Sequence, residues 1–530
     1  MAVSAVALQE QIVISLRRRW LAAGVAGAAV AAAAAIALPR QSGGTAEVAA
    51  TYQLSAAPLG VNVAPWDSSY TGAGAGVIQP LLSKAGIKQI RYGGGSYADY
   101  YDWQTNTSIG GCLPDDTTAS FTARCASSDP LDFSQFAQEA REIGAEKFVT
   151  VNYGSGTPAE AAAWVTAAAR TSGEHVALWE VGNETYSCHE VDNELAGASA
   201  HHKGDRPAAA SPSGQYQTCT EATKGTAGGT ERLAMSYADN ALLFLKAMKK
   251  ADRSAVIGAP WAFGAAVQGS GVADSDEWNS QVLRTDGAYV GFVDAHYYPF
   301  SFSGSPGGAN PSAAQVLQAL HAIPSLQASI KAELAKFDPD AAAVIGETAV
   351  SNNQTTTVCG PVGALFAAGD ALSWLASGAQ SVDWWDLNND GNTGSSCESP
   401  DYGLFTSAAQ PVAETPYYGY LLASVLARPG AKLGFMNTSD PGDVLAYQSV
   451  LPGGRHAMAF INLDTIAART VTFASPAGLT GTLSSSVYSA GAQNATESEI
   501  VTGTTSAASG ITLPAESVTV LESQQSPARG

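Results

Sequence analysis

The stretch His175–Tyr186, HVALWEVGNETY, decides how this chain is read. A short apolar strand runs straight into an asparagine and a glutamate, Asn183 and Glu184. Ionisable groups at the end of a buried strand pack poorly, but they are well placed for chemistry where parallel strands open on a barrel mouth. A counterpart lies far downstream. Ala341–Asn352, AAAVIGETAVSN, is a second apolar strand that ends in a carboxylate, Glu347. The two glutamates are expected to face each other across one opening.

Working outward from these two, strands and helices alternate. Strands are predicted at Leu59–Val63, Ile87–Tyr92, Lys147–Asn152, His175–Val181, Ala255–Ala259, Tyr289–His296, Ala343–Gly346 and Ser381–Trp385. Helical patterns fall between them. One has Thr157 and Pro158 at its start, and another spans about Ala313 to Phe337 with Pro324 breaking or kinking it. Such alternation over about 370 residues predicts an α/β fold, a (β/α)8 TIM barrel with loop insertions. A doubly wound sheet would alternate too, but Gly93–Gly95 lacks the GxGxxG spacing of a dinucleotide loop. From about Lys432 short β-rich runs separated by Gly, Pro, Asn and Asp predict a C-terminal β-sandwich. The expected division is a leader at 1–50, a barrel at 51–430 and the sandwich at 431–530.

The leader reads as an export signal. Arg17, Arg18 and Arg19 precede an apolar run from Trp20 to Leu38, with small residues at Val48-Ala49-Ala50 for cleavage. The run is also long enough for an uncleaved anchor. Six cysteines fall into local pairs, Cys112 with Cys125, Cys188 with Cys219 and Cys359 with Cys397, and an even count in an exported chain points to disulfides. The net charge of −20 argues against a nucleic-acid partner, whose phosphates need a basic face. No protein partner is expected, and secretion is.

Two carboxyl groups facing each other fit acetal hydrolysis, in which one protonates the leaving oxygen and the other attacks. Glu184 is expected to be the acid/base, its pKa raised by an apolar wall of Trp179 or Trp261 and by the charge of Glu347. Glu347 is expected to stay ionised as the nucleophile. WEVGNE at Trp179–Glu184 resembles the acid/base motif of clan A retaining glycoside hydrolases, in which the Asn meets the sugar 2-hydroxyl. RYGGGSYADYYDW at Arg91–Trp103 is similar to the RxPGG segment of family 51 α-L-arabinofuranosidases, with Gly93 where that family has Pro. VNYGSGTPAEAAAWV at Val151–Val165 resembles their third-strand segment, and His296 and Tyr298 match the His and Tyr near their nucleophile. The GET at Gly346–Thr348 looks more like family 79 β-glucuronidases and heparanases. The resemblance implies a secreted retaining glycosidase that acts on oligosaccharides or polysaccharides, arabinofuranosidase-like with a glucuronidase-like alternative. It also implies a pocket of Asn183, Arg91, Asp99, Trp103, Asn152, His296, Tyr298 and Trp385, with no cofactor.

A non-catalytic glycan-binding protein on the same scaffold is the rival from another class. Asp386–Gly391 resembles the first half of a calcium loop, but Cys397 stands where the chelating glutamate belongs, so no metal is expected. No zinc spacing, phosphate loop or nucleophile elbow occurs.

Overall fold

Eight parallel strands close into a barrel: β1 Leu59–Val63, β2 Gln89–Tyr92, β3 Glu146–Val151, β4 Leu178–Val181, β5 Ile257–Trp261, β6 Phe292–Tyr297, β7 Ala342–Thr348 and β8 Val382–Trp384. Strand β8 pairs with β1, which leaves no edge. This computed structural model describes residues 50–108, 128–186, 229–263, 275–300, 311–338, 340–351, 356–388, 402–407, 410–474, 481–489, 499–506 and 510–523. Residues 1–49 of the expected leader, the segment 187–228, Cys112, Cys125, Cys188, Cys219, Cys397 and residues 389–391 lie outside them. Cys359 is disulfide-bonded. Among the described residues no helix is long and apolar enough to cross a membrane.

The helices are α1 Gly72–Lys84, α2 Phe133–Glu142, α3 Pro158–Arg170, α4 Gly229–Ala251, α5 Ser275–Asp286, α6 Ala313–Ala319, α7 Ile323–Phe337, α8 Pro361–Ala376 and α9 Thr415–Ala423. Local chemistry starts several of them. Asp132 accepts from Gln135 N at 2.8 Å to cap α2, Thr157 caps α3 ahead of Pro158, and Ser312 with Gln315 forms a capping box on α6. The single helix expected from Ala313 to Phe337 is interrupted by a 3₁₀ turn at Leu320–Ala322, and Pro324 sits in the first turn of α7. Pro324 thus starts a helix rather than bending one.

Four barrel strands begin two or three residues later than the apolar runs that announced them. Ile87, Val176, Ala255 and Val290 precede β2, β4, β5 and β6, yet all are buried. They seal the base of the barrel, and burial without pairing gives the same hydropathy signal as a strand.

The C-terminal strands are β9 Lys432–Phe435, β10 Val444–Val450, β11 His456–Asn462, β12 Arg469–Thr472, β13 Thr482–Ser489, β14 Val501–Ser506, β15 Gly510–Leu513 and β16 Ser517–Ser523. A seven-stranded antiparallel sheet runs β9-β10-β11-β16-β13-β14, with β9 also paired to an N-terminal strand, Thr51–Gln53. The β12-β15 pair forms a second layer. Alternation along β11 explains the arrangement. Met458 and Phe460 enter a cluster with Val471, Phe473 and Leu513, between the layers. Ala457, Ala459 and Ile461 face the other way, into the core shared with the barrel helices. Helix α8 lies between barrel and sheet. Every residue from Val362 to Ala376 is buried, as a helix apolar on all sides requires.

Candidate active site

Alternation along the barrel strands stacks the interior in layers. Phe148, Leu178, Phe292 and Val344 form an apolar floor, with Phe148 edge-on to Phe292 at 5.5 Å. Two residues further along the same strands the chemistry turns polar, at Thr150, Glu180, Asp294 and Gly346. Beyond these, toward the strand ends, come His296, Glu347, Asn183 and Glu184.

Arg91 of β2 ties the layers together. Its guanidinium carbon lies 5.3 Å from the Phe148 ring centre. One terminal nitrogen donates to Glu347 Oε1 at 2.7 Å and to Asn62 Oδ1 at 3.0 Å. The other donates to Glu180 Oε2 at 2.9 Å and to Asn183 Oδ1 at 2.8 Å. Thr150 also donates to Glu180, at 2.9 Å. The side chain is 1% exposed, so this cation is committed to the barrel interior.

The two glutamates meet at His296. Its Nδ1 is 2.8 Å from Glu184 Oε1 and 3.4 Å from Glu347 Oε2, and one ligand atom of each of these three residues lies within 4.8 Å of the others. Tyr298 donates to Glu347 Oε2 at 2.7 Å, and Tyr186 donates to Glu184 Oε1 at 3.2 Å. The Glu184 side chain is 19% exposed and that of Glu347 6%, which makes Glu184 the more open of the two.

Backbone geometry aims both groups. Glu184 has φ 41, a left-handed conformation unfavourable to a branched or bulky side chain and characteristic of functional turns. Glu347 follows a bulge. Strand β7 pairs Ile345 with Ala295 and then Glu347 with His296, leaving Gly346 as the extra residue.

The charge states differ from those expected of the pair. Burial favours a raised Glu184, but the hydrogen bond and charge of His296, with the Tyr186 hydroxyl, hold it below the ordinary glutamate value. Burial raises Glu347 above that value, against the pull of His296 and Arg91. The expected apolar wall is therefore outweighed at Glu184 by a charged partner. His296 stands well above its usual value: burial opposes this, but Glu347, Asp294 and Glu184 overcome it. Both shifts favour an imidazolium at His296 beside an ionised Glu184.

Of the other expected pocket residues, Asn183 joins the network directly, and Asp99 acts one step behind by accepting from the Asn183 N–H at 3.2 Å. Asn152 acts locally, since its Oδ1 accepts from the N–H groups of Ser155 and Gly156, both at 2.9 Å, and so fixes the loop after β3. Trp103 stacks on Trp164 of α3 at 5.5 Å and 8°, outside the hydrogen-bond network around the glutamates. Trp385 directly follows β8 and is joined to Asp386 by a cis peptide bond, with its ring against Gly95. A Cβ on Gly95, where φ is +61, would stand 2.7 Å from Trp385 Cη2, so this close approach needs glycine.

Asn62, Glu180 and Asp294 are members that sequence reasoning missed. The latter two are charged residues inside apolar strands, WEV and FVDAHY, and that interruption was the available signal. Burial, the charge of Asp294 and the opposing pull of Arg91 leave Glu180 raised to about 8. Glu180, Asp294 and His296 are close enough to hold a small cation, as are Glu184, His296 and Glu347, but Arg91 already supplies positive charge to both groups. At the calcium-like turn, Asn388 is hydrogen-bonded to Asp67 at 2.8 Å and Ser407 at 3.2 Å.

No protein-family model matches the sequence, and no curated protein is similar to it in sequence. Solved structures are similar in fold. A GH51 arabinofuranosidase from Xanthomonas axonopodis pv. citri superposes with TM-score 0.63 at 16% identity, over 90% of this chain and 98% of that one. An α-L-arabinofuranosidase from Thermotoga maritima, in complex with arabinose, gives 0.62 at 16% identity over 90% and 98%. A Paenibacillus polymyxa xyloglucanase of glycoside hydrolase family 44 gives 0.58 at 13% identity over 89% and 97%. Likeness at these identities establishes the fold, a TIM barrel with a trailing β-sandwich.

Proposed function

We propose that this chain is a retaining glycoside hydrolase that removes α-L-arabinofuranosyl-type residues from oligosaccharides or polysaccharides, with Glu184 as acid/base and Glu347 as nucleophile. The observation that carries the reading is the approach of one oxygen from each carboxyl group to within 4.8 Å of the other, around His296. Retaining enzymes hold their carboxyl pair about 5–5.5 Å apart, whereas inverting ones leave room for water between them. The similar folds of the two arabinofuranosidases support the same choice.

In this reading the proton for the leaving oxygen belongs to the Glu184–His296 pair. A sugar entering between the glutamates excludes water, and loss of solvent favours the neutral partners, His296 and protonated Glu184, over the ion pair. Glu184 then protonates the glycosidic oxygen as Glu347 attacks the anomeric carbon, giving a glycosyl ester and a free alcohol. In the second half Glu184 takes a proton from water, which attacks the anomeric carbon, breaks its bond to the Glu347 oxygen and releases the carboxylate. Tyr298 and Arg91 each donate to a Glu347 oxygen, which orients the carboxylate for attack and receives its charge on departure.

A glucuronidase needs a cation or several donors for the substrate carboxylate, and Arg91 is instead turned inward to Glu347, Glu180, Asn183 and Asn62, which disfavours that alternative. A panel of nitrophenyl arabinofuranoside, xyloside and glucuronide tests the assignment. Arabinofuranoside is expected to be the best substrate, and Glu184→Ala and Glu347→Ala each to lower kcat/KM by at least about 10²-fold. Unchanged hydrolysis in either variant, or preference for the glucuronide, would overturn it.

A further inference from the structure

Asp294 lies at the middle of β6 with a side chain that is 0% exposed, one layer below the glutamates. Its two oxygens meet different partners. Oδ1 accepts the N–H of Gly346 at 2.6 Å. Gly346 is the extra residue of the β7 bulge, so its N–H is taken by a side chain instead of the neighbouring strand. The Gly346 carbonyl in turn accepts from Asn62 Nδ2 at 2.7 Å, which pins the bulge on both sides. A Cβ on Gly346 would stand 2.2 Å from both Asp294 oxygens, so the glycine and the aspartate are matched in shape. Oδ2 lies 3.4 Å from His296 Nε2 and 3.5 Å from Arg91 Nε. The opposite nitrogen of the same ring, Nδ1, faces Glu184 and Glu347.

We propose that Asp294 is a positioning residue for the reaction: one buried carboxylate holds the bulge that aims the nucleophile and keeps a proton on His296 Nε2. This inference rests on the glycosidase reading above. With Nε2–H pointed at Asp294, a neutral His296 presents an Nδ1 lone pair to Glu184, and the hydrogen between them then belongs to the glutamate. The aspartate thus selects the tautomer in which Glu184 is a proton donor. Among the described residues, the charged and titratable groups around His296 are Asp294 on its own strand, Glu180 on β4, Glu184 after β4 and Glu347 on β7, with Arg91 on β2 and Tyr298 beyond β6 bonded to those carboxylates. Among them, the ion pair at Nε2 is with Asp294, at 3.4 Å.

The test is Asp294→Asn in the full chain, assayed on nitrophenyl arabinofuranoside across pH. A roughly 10²-fold fall in kcat with KM within about threefold is expected, together with an alkaline limb of kcat/KM moved about one unit toward lower pH. A merely structural role would lower the rate without moving that limb. In the unsubstituted protein, ¹⁵N NMR of the histidines, with His296 identified by signal loss in His296→Gln, is expected to find Nε2 protonated throughout the profile. An unmoved limb in Asp294→Asn, or a neutral His296 protonated on Nδ1, would overturn the proposal. Should Asp294→Asn fail to fold, the NMR measurement decides alone. Absence of hydrolysis by the unsubstituted protein would refute the glycosidase reading instead, and the NMR arm would still judge Asp294.

Discussion

Replacing Arg91 by Met keeps the bulk of the side chain and removes its charge and every donor. Arg91 is 1% exposed and holds Glu347 at 2.7 Å and Glu180 at 2.9 Å, with Asp294 at 3.5 Å. Removing one partner of a buried ion pair costs about 3–5 kcal/mol, because the other charge stays buried and uncompensated. Two close carboxylates are stranded here, so the upper end of that range applies, against a total stability of about 5–15 kcal/mol. The fold has one means of relief, which is to protonate the stranded acids. Glu180 is already raised to about 8, and loss of Arg91 takes away a group that pulls it down. Protonation of the stranded acids therefore relieves part of the cost at pH 5, and that relief is lost only at a pH above about 8. Urea unfolding followed by far-UV circular dichroism should find Arg91→Met about 4–5 kcal/mol less stable at pH 9 and roughly half as much at pH 5. Arg91→Lys should recover only part of the loss, since a single ammonium cannot span Glu347, Glu180, Asn62 and Asn183. Equal stability of Arg91→Met and the unsubstituted protein at pH 9, or a loss independent of pH, would refute this account of the barrel interior.

Gly95→Ala places a methyl 2.7 Å from the Trp385 ring at a left-handed residue, and should raise KM for arabinofuranoside about tenfold while shifting tryptophan fluorescence. An unchanged KM would remove Trp385 from the sugar pocket. Burial raises Asp286 and Asp370 from 3.8 to about 8, with the charge of Asp239 adding to the first and hydrogen bonds from Thr348 and Trp374 opposing the second. Folding thus favours their protonated forms, and their stabilisation is complete below about pH 4 and lost as pH rises through about 8. Calorimetry should find Tm falling between pH 5 and pH 9, with the slope reduced in Asp370→Asn. A Tm that rises over this interval would contradict the assignment.

The barrel was legible because its strands are apolar runs that end in chemistry, and Asn183, Glu184 and Glu347 mark those ends. What sequence reading missed follows from pairing and packing. Thr51–Gln53 is a strand only because it meets Lys432–Phe435 across nearly the whole chain, and three residues carry no period of their own. Val501–Ser506, VTGTTS, is largely exposed at the end of its sheet and lacks the alternation that burial imposes. Glu180 and Asp294 look in the sequence like parts of apolar strands, since only the closed barrel turns their alternate positions toward Arg91. The charge states are hidden in the sequence for a related reason: the bond of His296 to Glu184 depends on backbone geometry at a left-handed residue. The GET at Gly346–Thr348 also reads differently in three dimensions, where its glycine makes room for Asp294.

A 2-fluoro arabinofuranoside with a good leaving group, incubated with the protein and followed by mass spectrometry of the peptides, tests the paired-carboxylate chemistry most directly, because fluorine slows breakdown of the glycosyl ester. The account predicts a mass increase of one fluorosugar on the peptide containing Glu347, absent in Glu347→Gln. Label on another carboxylate, or turnover of an unmodified arabinofuranoside with inversion at the anomeric carbon, would contradict it.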